Sequence, residues 1–317
     1  MNRSDIENKL LVLATHAWDE EIRWHDMNAW ANNFTGDVFA QDEEQLYALF
    51  MLTRFMYFSK RLIREMLRVL YEDHFRSPLI QRIRRNNKDT KDIQLLNGLF
   101  EKELATTRFV GVGNPAESGA HLLYFFRQVN YLSKSLFVDI GAAFTPVLNP
   151  ISNEIEMVAR DQSITRYVFF DDLVGSGDQV ELYLKTTLAQ IRKSNKKLEL
   201  RFMSLFSTSK GFSKLSDTDM FGERVSCLFE LDSTYKAFGN DSRYFKHSPS
   251  WFNQNELEQI CSSYGRKIYP RSPLGHRSNQ LLLGFSHNTP DNTLPVLWAE
   301  GHVTPWNPVC VRFEKKY

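Results

Sequence analysis

The sequence predicts an α/β protein in which a mostly parallel sheet follows a helical N-terminal region. From about residue 106 onward, short apolar runs alternate with amphipathic helical segments, an order typical of βαβ units. One of these runs, 164–170, is almost continuously apolar, as strands buried on both faces of a parallel sheet are. The first 105 residues instead repeat apolar side chains at three- and four-residue steps, which predicts helices. We therefore expect a helical region at 1–105 and an α/β domain at 106–317.

Composition and charge indicate a folded protein of the cytoplasm. The 317 residues are 42% hydrophobic, which is enough for a substantial core. A formal net charge of +1 provides no overall attraction to nucleic acid or to acidic membranes. The three cysteines form no CxxC pair, as expected in a reducing compartment. No secretory signal is evident, and the longest apolar run, 46–58, is too short to cross a bilayer, so no membrane partner is expected.

Helix signals run through the N-terminal region. Ser4 or Asp5 is placed to cap a first helix. Residues 42–74 have the spacing of one long second helix, and Pro78 is expected to end this region. The following segment, 82–91, is basic and polar, which predicts a solvated loop or the end of a helix.

The α/β region continues as strands and helices almost to the end of the chain. Its predicted strands are 109–112, 164–170, 198–206, 225–231, 281–285 and 294–298. Its predicted helices are 122–132, 180–191, 210–215, and one that begins at a capping box of Asn253 and Glu256 and ends near Gly265. Because helices separate most of these strands, we expect one mainly parallel sheet with helices on its faces.

Two adjacent carboxylates, Asp171 and Asp172, directly follow the apolar run 164–170, and a Gly-Ser-Gly turn at 175–177 precedes the next helix. Ligands of open α/β sheets bind at the carboxyl ends of the strands. Small residues let backbone N–H groups approach a phosphate, and the positive end of the helix dipole favours its charge. Carboxylates accept hydrogen bonds from sugar hydroxyls or bind Mg²⁺. The layout therefore predicts a site for a phosphorylated ribose, whose hydroxyls the two acids contact directly or through Mg²⁺, the metal ion expected if the site is catalytic.

The position of the two acids sets a geometric condition on this site. Side chains of adjacent strand residues leave on opposite faces. Asp171 and Asp172 therefore reach one ligand together only if the strand ends at them and the chain turns into the loop.

This segment resembles the PRPP-binding motif of type I phosphoribosyltransferases over residues 168–177: an apolar strand, two acids, two apolar residues and a small-residue turn. The resemblance implies the sheet of that fold, PRPP or a nucleotide as ligand, and catalytic and metal-binding roles for Asp171 and Asp172. The implied ligand contacts are Gly175, Ser176, Gly177, Asp178 and Gln179, together with Asn114, Ser118 and Gly119 in the turn after the first core strand. The chain departs from the motif at its end, where Gln179 replaces the usual Ser or Thr and Asp178 adds a negative charge.

Three separate segments together resemble the phosphoribosyltransferase-like effectors of bacterial antiviral systems, including those of retrons. They are the turn 114–124 with Arg127, the string FFDDLVGSG at 169–177, and the tail HNTPDNTLPVLW at 287–298. The resemblance covers about residues 30–312. It implies an effector or accessory component of an anti-phage system, with a protein or ribonucleoprotein partner from the same operon. Transferase chemistry, N-glycosidic chemistry and nucleotide sensing without turnover all stay open.

Other classes of site find little support. No Lys follows Gly177, so a Walker A loop is excluded, and Ala116 stands where a dinucleotide fingerprint from Gly111 would place its third glycine. No HExxH or GxSxG motif occurs. One alternative from another class stays open: a non-catalytic interaction scaffold, whose helical region docks a partner protein or nucleic acid through the basic segment 82–91.

Overall fold

The computed structural model describes residues 1–113, 118–301 and 304–313. The chain forms two compact units, one built from Met1–Ile63 together with Asp232–Tyr317 and the other from Arg64–Leu231. These units are defined by compactness alone, which does not test the expected boundary between residues 105 and 106. That boundary stays a prediction. Within the described residues, no helix combines the length and the apolar character needed to span a bilayer.

The secondary structure elements are as follows. The helices are α1 (Arg3–His16), α2 (Trp24–Ala31), α3 (Gln41–Leu52), α4 (Lys60–Tyr71), α5 (Ser77–Asn86), α6 (Ile93–Ala105), α7 (Ser118–Val129), α8 (Ile140–Ala143), α9 (Asp178–Ser194), α10 (Ser209–Leu215), α11 (Gln254–Ile268) and α12 (Pro295–Trp298). The strands are β1 (Met56–Phe58), β2 (Thr107–Gly111), β3 (Phe144–Leu148), β4 (Ile155–Ala159), β5 (Arg166–Val174), β6 (Glu199–Thr208), β7 (Val225–Leu231) and β8 (Leu283–Phe285). A π-helical turn, Glu72–Arg76, joins α4 to α5, and short 3₁₀ turns lie at Lys134–Leu136, Gly222–Arg224, Ser233–Tyr235 and His276–Ser278.

The first unit contains a short parallel pair, β1 with β8, in which Met56 lies opposite Leu283. Its helices enclose an aromatic core centred on the fully buried Phe34. The Phe34 ring lies in edge contact, at centroid distances of 5.0 to 5.3 Å, with three larger rings: Trp30, Tyr264 and Trp306. These rings come from distant parts of the sequence, so both ends of the chain share one core.

One charged side chain, Glu44 of α3, is fully buried in this unit. Its carboxylate accepts hydrogen bonds from Gly36 N (2.9 Å), Val38 N (2.7 Å) and Tyr264 Oη (2.6 Å). Burial acts to raise the pKa of Glu44, but these hydrogen bonds outweigh it and hold the pKa below its usual value. The buried charge thereby ties the loop before α3 to the helix.

The second unit is built on a parallel sheet with the strand order β2-β5-β6-β7, which confirms the predicted α/β class. Adjacent side chains of β5 lie on opposite faces of the sheet and pack against different helices. Phe169 belongs to the core formed with α9, which contains Val180 and Leu184. On the other face, α7 places Phe126 at ring distances of 5.2 and 5.5 Å from Phe109 and Phe170.

An ion network closes the amino end of this sheet. The Arg166 side chain, 3% exposed, contacts Glu103 at 2.9 Å and Glu199 at 3.1 Å. Arg82 of α5 contacts the same two carboxylates, each at 3.2 Å. Part of the basic segment 82–91 is therefore helical and holds α5 and α6 to the sheet.

A separate antiparallel hairpin, β3 with β4, was not among the predicted elements. Phe144 lies opposite Ala159, and β4 packs against α9. The strand signal is weak here because Pro146 interrupts β3 and most of the hairpin side chains are exposed or only half-buried.

The single helix predicted over 42–74 is wrong. The chain leaves α3 at Leu52, forms β1, and becomes helical again only at Lys60. The apolar spacing continues across this break because all three residues of β1 are large and apolar or aromatic and only partly exposed at most, so periodicity alone does not reveal it. Pro78 does not end the region, since it lies in the first turn of α5, where its missing N–H has little cost.

Two further element predictions are wrong, those for 294–298 and for the cap of α1, and the strand 281–285 is confirmed only in part. Residues 294–298 form the helix α12 rather than a strand, with Pro295 at its first position. The strand 281–285 shortens to β8 and pairs with β1 in the first unit, outside the main sheet. The cap of α1 is Asn2, whose side chain accepts the Asp5 N–H at 2.9 Å.

Candidate functional site

The carboxyl edge of the parallel sheet is stepped. β2 ends at Gly111, opposite Phe170, whereas β5 continues to Val174 alongside β6. Among the described residues, no strand pairs with 171–174 on the side of β2. β5 therefore overhangs its neighbour at the edge where ligands of parallel sheets bind.

Asp171 and Asp172 lie inside β5 rather than after it. Asp171 is opposite Ser204 of β6, and the strand runs on to Val174. Each carboxylate accepts the backbone N–H of the following residue, Asp172 N at 2.9 Å and Leu173 N at 2.8 Å. Asp171 is partly exposed, whereas Asp172 is 9% exposed. The geometric condition for joint contact is therefore not met, and Asp171 is the more accessible of the two acids.

The Gly-Ser-Gly turn has a specific backbone geometry. Gly177 has a φ of 76°, a left-handed conformation that favours glycine, and it caps α9. The Thr208 hydroxyl donates to the Gly175 carbonyl at 2.6 Å. Gly211 packs so closely on this carbonyl that a Cβ there would lie 2.4 Å from its oxygen. The start of α10 therefore holds the turn in place.

An internal ion pair lies at the beginning of α9. Asp178 accepts a hydrogen bond from Ser176 Oγ at 2.8 Å and forms an ion pair with Lys214 of α10. Lys214 also pairs with Glu181 one turn further along α9. Hydrogen bonds to Asp178 and then to Glu181 raise the pKa of Lys214. A carboxylate with its own cation thus lies at the helix start, where the motif would place a phosphate.

The Lys214 stem covers the turn itself. A Cβ added at Gly177 would lie 3.1 Å from Lys214 Cδ. Gln179, by contrast, is exposed in the first turn of α9. The turn is therefore contacted from two sides, by the α10 backbone at Gly211 and by the Lys214 side chain.

The second predicted contact region is described only in part. Asn114 lies outside the described residues, as does the side chain of Ser118, whose backbone begins α7. Gly119 is buried, and a Cβ there would lie 2.9 Å from the carbonyl oxygens of both Val112 and Phe170. Gly119 thus permits the close approach of α7 to β2 and β5 at the edge that carries Asp171.

Two residues at this edge were missed by the sequence analysis: Thr208 and Lys214. Thr208 has a detectable signal, because a Thr before the segment Ser209–Leu215 is a preferred helix cap, and its hydroxyl does accept the Gly211 N–H. Lys214 has none, since its role depends on the packing of α10 beside α9. Neighbouring strands and helices, rather than the motif alone, complete this edge.

In the described part of the chain, no group of three or more His, Cys, Asp or Glu side chains could hold a metal ion by itself. Mg²⁺ nevertheless fits the edge of β5. This ion is commonly held by one or two carboxylates together with substrate phosphates and water. The partly exposed Asp171 offers one such carboxylate, so a bound Mg²⁺ would be shared with the ligand.

The parallel sheet, the acids at the carboxyl edge of an inner strand, and the glycine turn into a helix together define a phosphoribosyltransferase-like α/β protein. The particular family follows from comparison. The family model described as PRTase-CE matches residues 27–312, and the chain belongs to this family. No match was found among curated proteins.

Solved phosphoribosyltransferases are similar to the chain only at a distance. Orotate phosphoribosyltransferase from Aeropyrum pernix is 12% identical with a TM-score of 0.25, over 41% of this chain and 63% of that one. Xanthine-guanine-hypoxanthine phosphoribosyltransferase from Helicobacter pylori is 12% identical, over 56% and 86%, with a TM-score of 0.26. Adenine phosphoribosyltransferase from Trypanosoma brucei is 17% identical, over 49% and 68%, with a TM-score of 0.26. The chain thus spans less than two thirds of the Aeropyrum enzyme.

Proposed function

We propose that the chain binds a phosphorylated ribose compound, PRPP or a nucleotide, at the carboxyl edge of β5. The overhang of β5 is the observation that carries this proposal, because it brings the partly exposed Asp171 and the turn 175–177 to the ligand-binding edge of a parallel sheet. Membership of the PRTase-CE family supports the same ligand class. The contacts proposed around Asp171 and Asp172 are Gly175, Ser176, Gly177, Asp178, Gln179, Asn114, Ser118 and Gly119.

Asp171 and Asp172 have different roles in the proposed site. Asp171 accepts hydrogen bonds from ribose hydroxyls or shares Mg²⁺ with the ligand phosphates. Mg²⁺, when bound, supplies positive charge to the phosphate oxygens. Asp172 is more buried and accepts the Leu173 N–H, so it holds the end of β5 in position. A transferase or N-glycosidic reaction would use the same contacts to stabilise charge on a leaving group.

Ligand binding is tested by thermal shift and calorimetry with PRPP and nucleotides, with and without Mg²⁺. A ligand at about 100 times its Kd stabilises the folded state by about 2.7 kcal/mol. Asp171→Asn should abolish most of that shift. Asp42→Asn, which removes an exposed carboxylate in the first turn of α3, is the matched control and should leave the shift unchanged. No shift of the wild-type protein by any of these ligands would contradict the proposal.

We further propose that the protein acts as an effector or accessory component of a prokaryotic anti-phage system, with a protein or ribonucleoprotein partner from the same operon. The turn 114–124, the motif 169–177 and the tail 287–298 support this role through their resemblance to such effectors. The test is plaque formation on a host that expresses the chain with its neighbouring genes. Asp171→Asn should restore plaques to the level of the empty vector. Absence of protection by the wild-type genes would contradict the role, whereas continued protection by a variant that has lost ligand binding would show that the role does not use the ribose site.

The interaction scaffold has one structural observation in its favour. Arg85, Lys88 and Lys91 are exposed at and beyond the end of α5, although Arg82 is committed to the ion network with Glu103 and Glu199. The double change Arg84→Glu and Arg85→Glu should then remove partner binding in a pull-down. If no ribose ligand shifts the wild-type melting temperature while this change removes the partner, the scaffold is the better account.

A further inference from the structure

Helix α7 presents aromatic and basic side chains without any acid among them. From Ser118 to Val138 the sequence contains no Asp or Glu, but it contains His121, Arg127 and Lys134. Two tyrosines on this stretch are largely in solvent: Tyr124 is 55% exposed and Tyr131 is 94% exposed. Large exposed rings beside cations are unusual unless they serve a contact.

Three side chains of α7 form a continuous row with one residue of α4. The Arg64 guanidinium lies 5.1 Å from the Phe125 ring centroid, Phe125 lies 5.5 Å from Tyr124, and Arg127 lies 5.8 Å from Tyr124. His121 adds an edge contact with Phe125 at 5.1 Å. We call Arg64, Phe125, Tyr124 and Arg127 the Arg–ring row; it alternates a cation, two rings and a second cation.

The charges of this row are not neutralised by the protein. In the described part of the chain, neither Arg64 nor Arg127 forms an ion pair with a carboxylate. Other arginines of the same helical stretch do, since Arg68 pairs with Glu65 and Arg76 with Glu72. Contact with a ring orders a guanidinium without removing its charge. The row therefore holds two cations in place, with Arg64 exposed and Arg127 half-buried, where an anionic partner can contact them.

We propose that the Arg–ring row binds single-stranded nucleic acid. Unpaired bases stack on aromatic rings and on guanidinium planes, and arginines neutralise the adjoining phosphates. An acidic protein would use the two cations, whereas a single strand would use both the cations and the rings between them. A duplex would keep its base faces covered. The proposal rests on the rings and cations of α4 and α7 and does not depend on ligand binding at β5.

The experiment is fluorescence anisotropy with labelled 20-nucleotide dT and U strands across a salt series. Arg64→Gln and Arg127→Gln should each reduce the slope of log K against log salt by about one, because each removes a phosphate contact. Tyr124→Ala should weaken binding about fivefold or more at every salt concentration, since stacking does not depend on counterion release. Tyr124→Phe keeps the ring and should bind as the wild type does.

Three measurements guard against a purely structural explanation. Arg271→Gln removes an exposed arginine that belongs neither to the Arg–ring row nor to the segment 82–91, and it should leave the slope unchanged. Arg127→Lys should restore the slope that Arg127→Gln loses. Melting temperatures of all variants confirm that they are folded.

The inference is overturned by any of three results: no salt-dependent binding of either strand by the wild-type protein, an equal loss from Arg271→Gln, or displacement of the strands by poly-glutamate as readily as by unlabelled oligonucleotide. The last result would assign the surface to an acidic protein instead.

Discussion

Lys214 of α10 pairs with Asp178, the first residue of α9, and its stem packs over Gly177. The positive end of a helix dipole and the N–H groups of its first turn favour an anion at this place. In this protein the Asp178 carboxylate is already there, held by the Ser176 hydroxyl and by Lys214. A ligand phosphate must therefore compete with Asp178 for the same cation and the same turn.

Replacement of Asp178 by Asn should strengthen the binding of phosphorylated ligands. At about 4 Å, two unit charges in water-like surroundings repel by about 1 kcal/mol, so the gain is about fivefold in Kd. Calorimetry with a nucleotide and with the corresponding nucleoside measures the effect. The nucleoside affinity should not change, and an unchanged nucleotide affinity would show that Asp178 does not face the phosphate.

Replacement of Lys214 by Gln should act in the opposite direction. It removes the cation available to the phosphate. The carboxylates of Asp178 and Glu181 also lose the positive charge of Lys214 and repel the phosphate more strongly, so nucleotide affinity should fall about fivefold. The same calorimetric titration checks it. Because a merely misfolded variant would also lose the nucleoside, retained nucleoside binding separates a lost phosphate contact from a lost fold.

Gly211→Ala should destabilise the turn that carries the motif. Its Cβ would lie 2.4 Å from the Gly175 oxygen, so α10 or the turn must move, at a cost of about 1 to 3 kcal/mol. Gly98→Ala in α6 is the matched control, because no atom lies within 4 Å of its added Cβ. That control should instead stabilise the protein by about 0.5 to 1 kcal/mol. Urea unfolding measures both, and equal effects of the two changes would contradict the close packing.

The buried Glu44 should make stability depend on pH in the acidic range. Its folded-state pKa lies below the ordinary value for a glutamate, so its contribution is present above that ordinary pKa and is lost as pH falls through the folded-state pKa. Glu44→Gln should cost about 1.5 to 3 kcal/mol at neutral pH and flatten this dependence. Urea unfolding between about pH 3 and pH 7 tests it. A variant with the same pH profile as the wild type would show that another group is responsible.

Local patterns were sufficient for the part of the fold that carries the site. The strand β5, the glycine turn and α9 are consecutive in sequence, and each has its own signal: an apolar run, small residues, and one apolar stripe. The helix over 42–74 failed for the converse reason. The short β1 has large apolar and aromatic side chains like the helices around it, so only its pairing with β8, more than 200 residues away, distinguishes it.

By itself, the sequence determined the α/β class, the order of strands and helices around the motif, and the residue types available at the carboxyl edge of β5. These follow from periodicity and turn chemistry, which act between neighbours in the chain. Tertiary structure alone decided that β5 continues past Asp172, which sends the two acids to opposite faces, and that Lys214 lies on Asp178. Both depend on which distant segments pack together, through the register of β5 on β6 and the placement of α10 against α9.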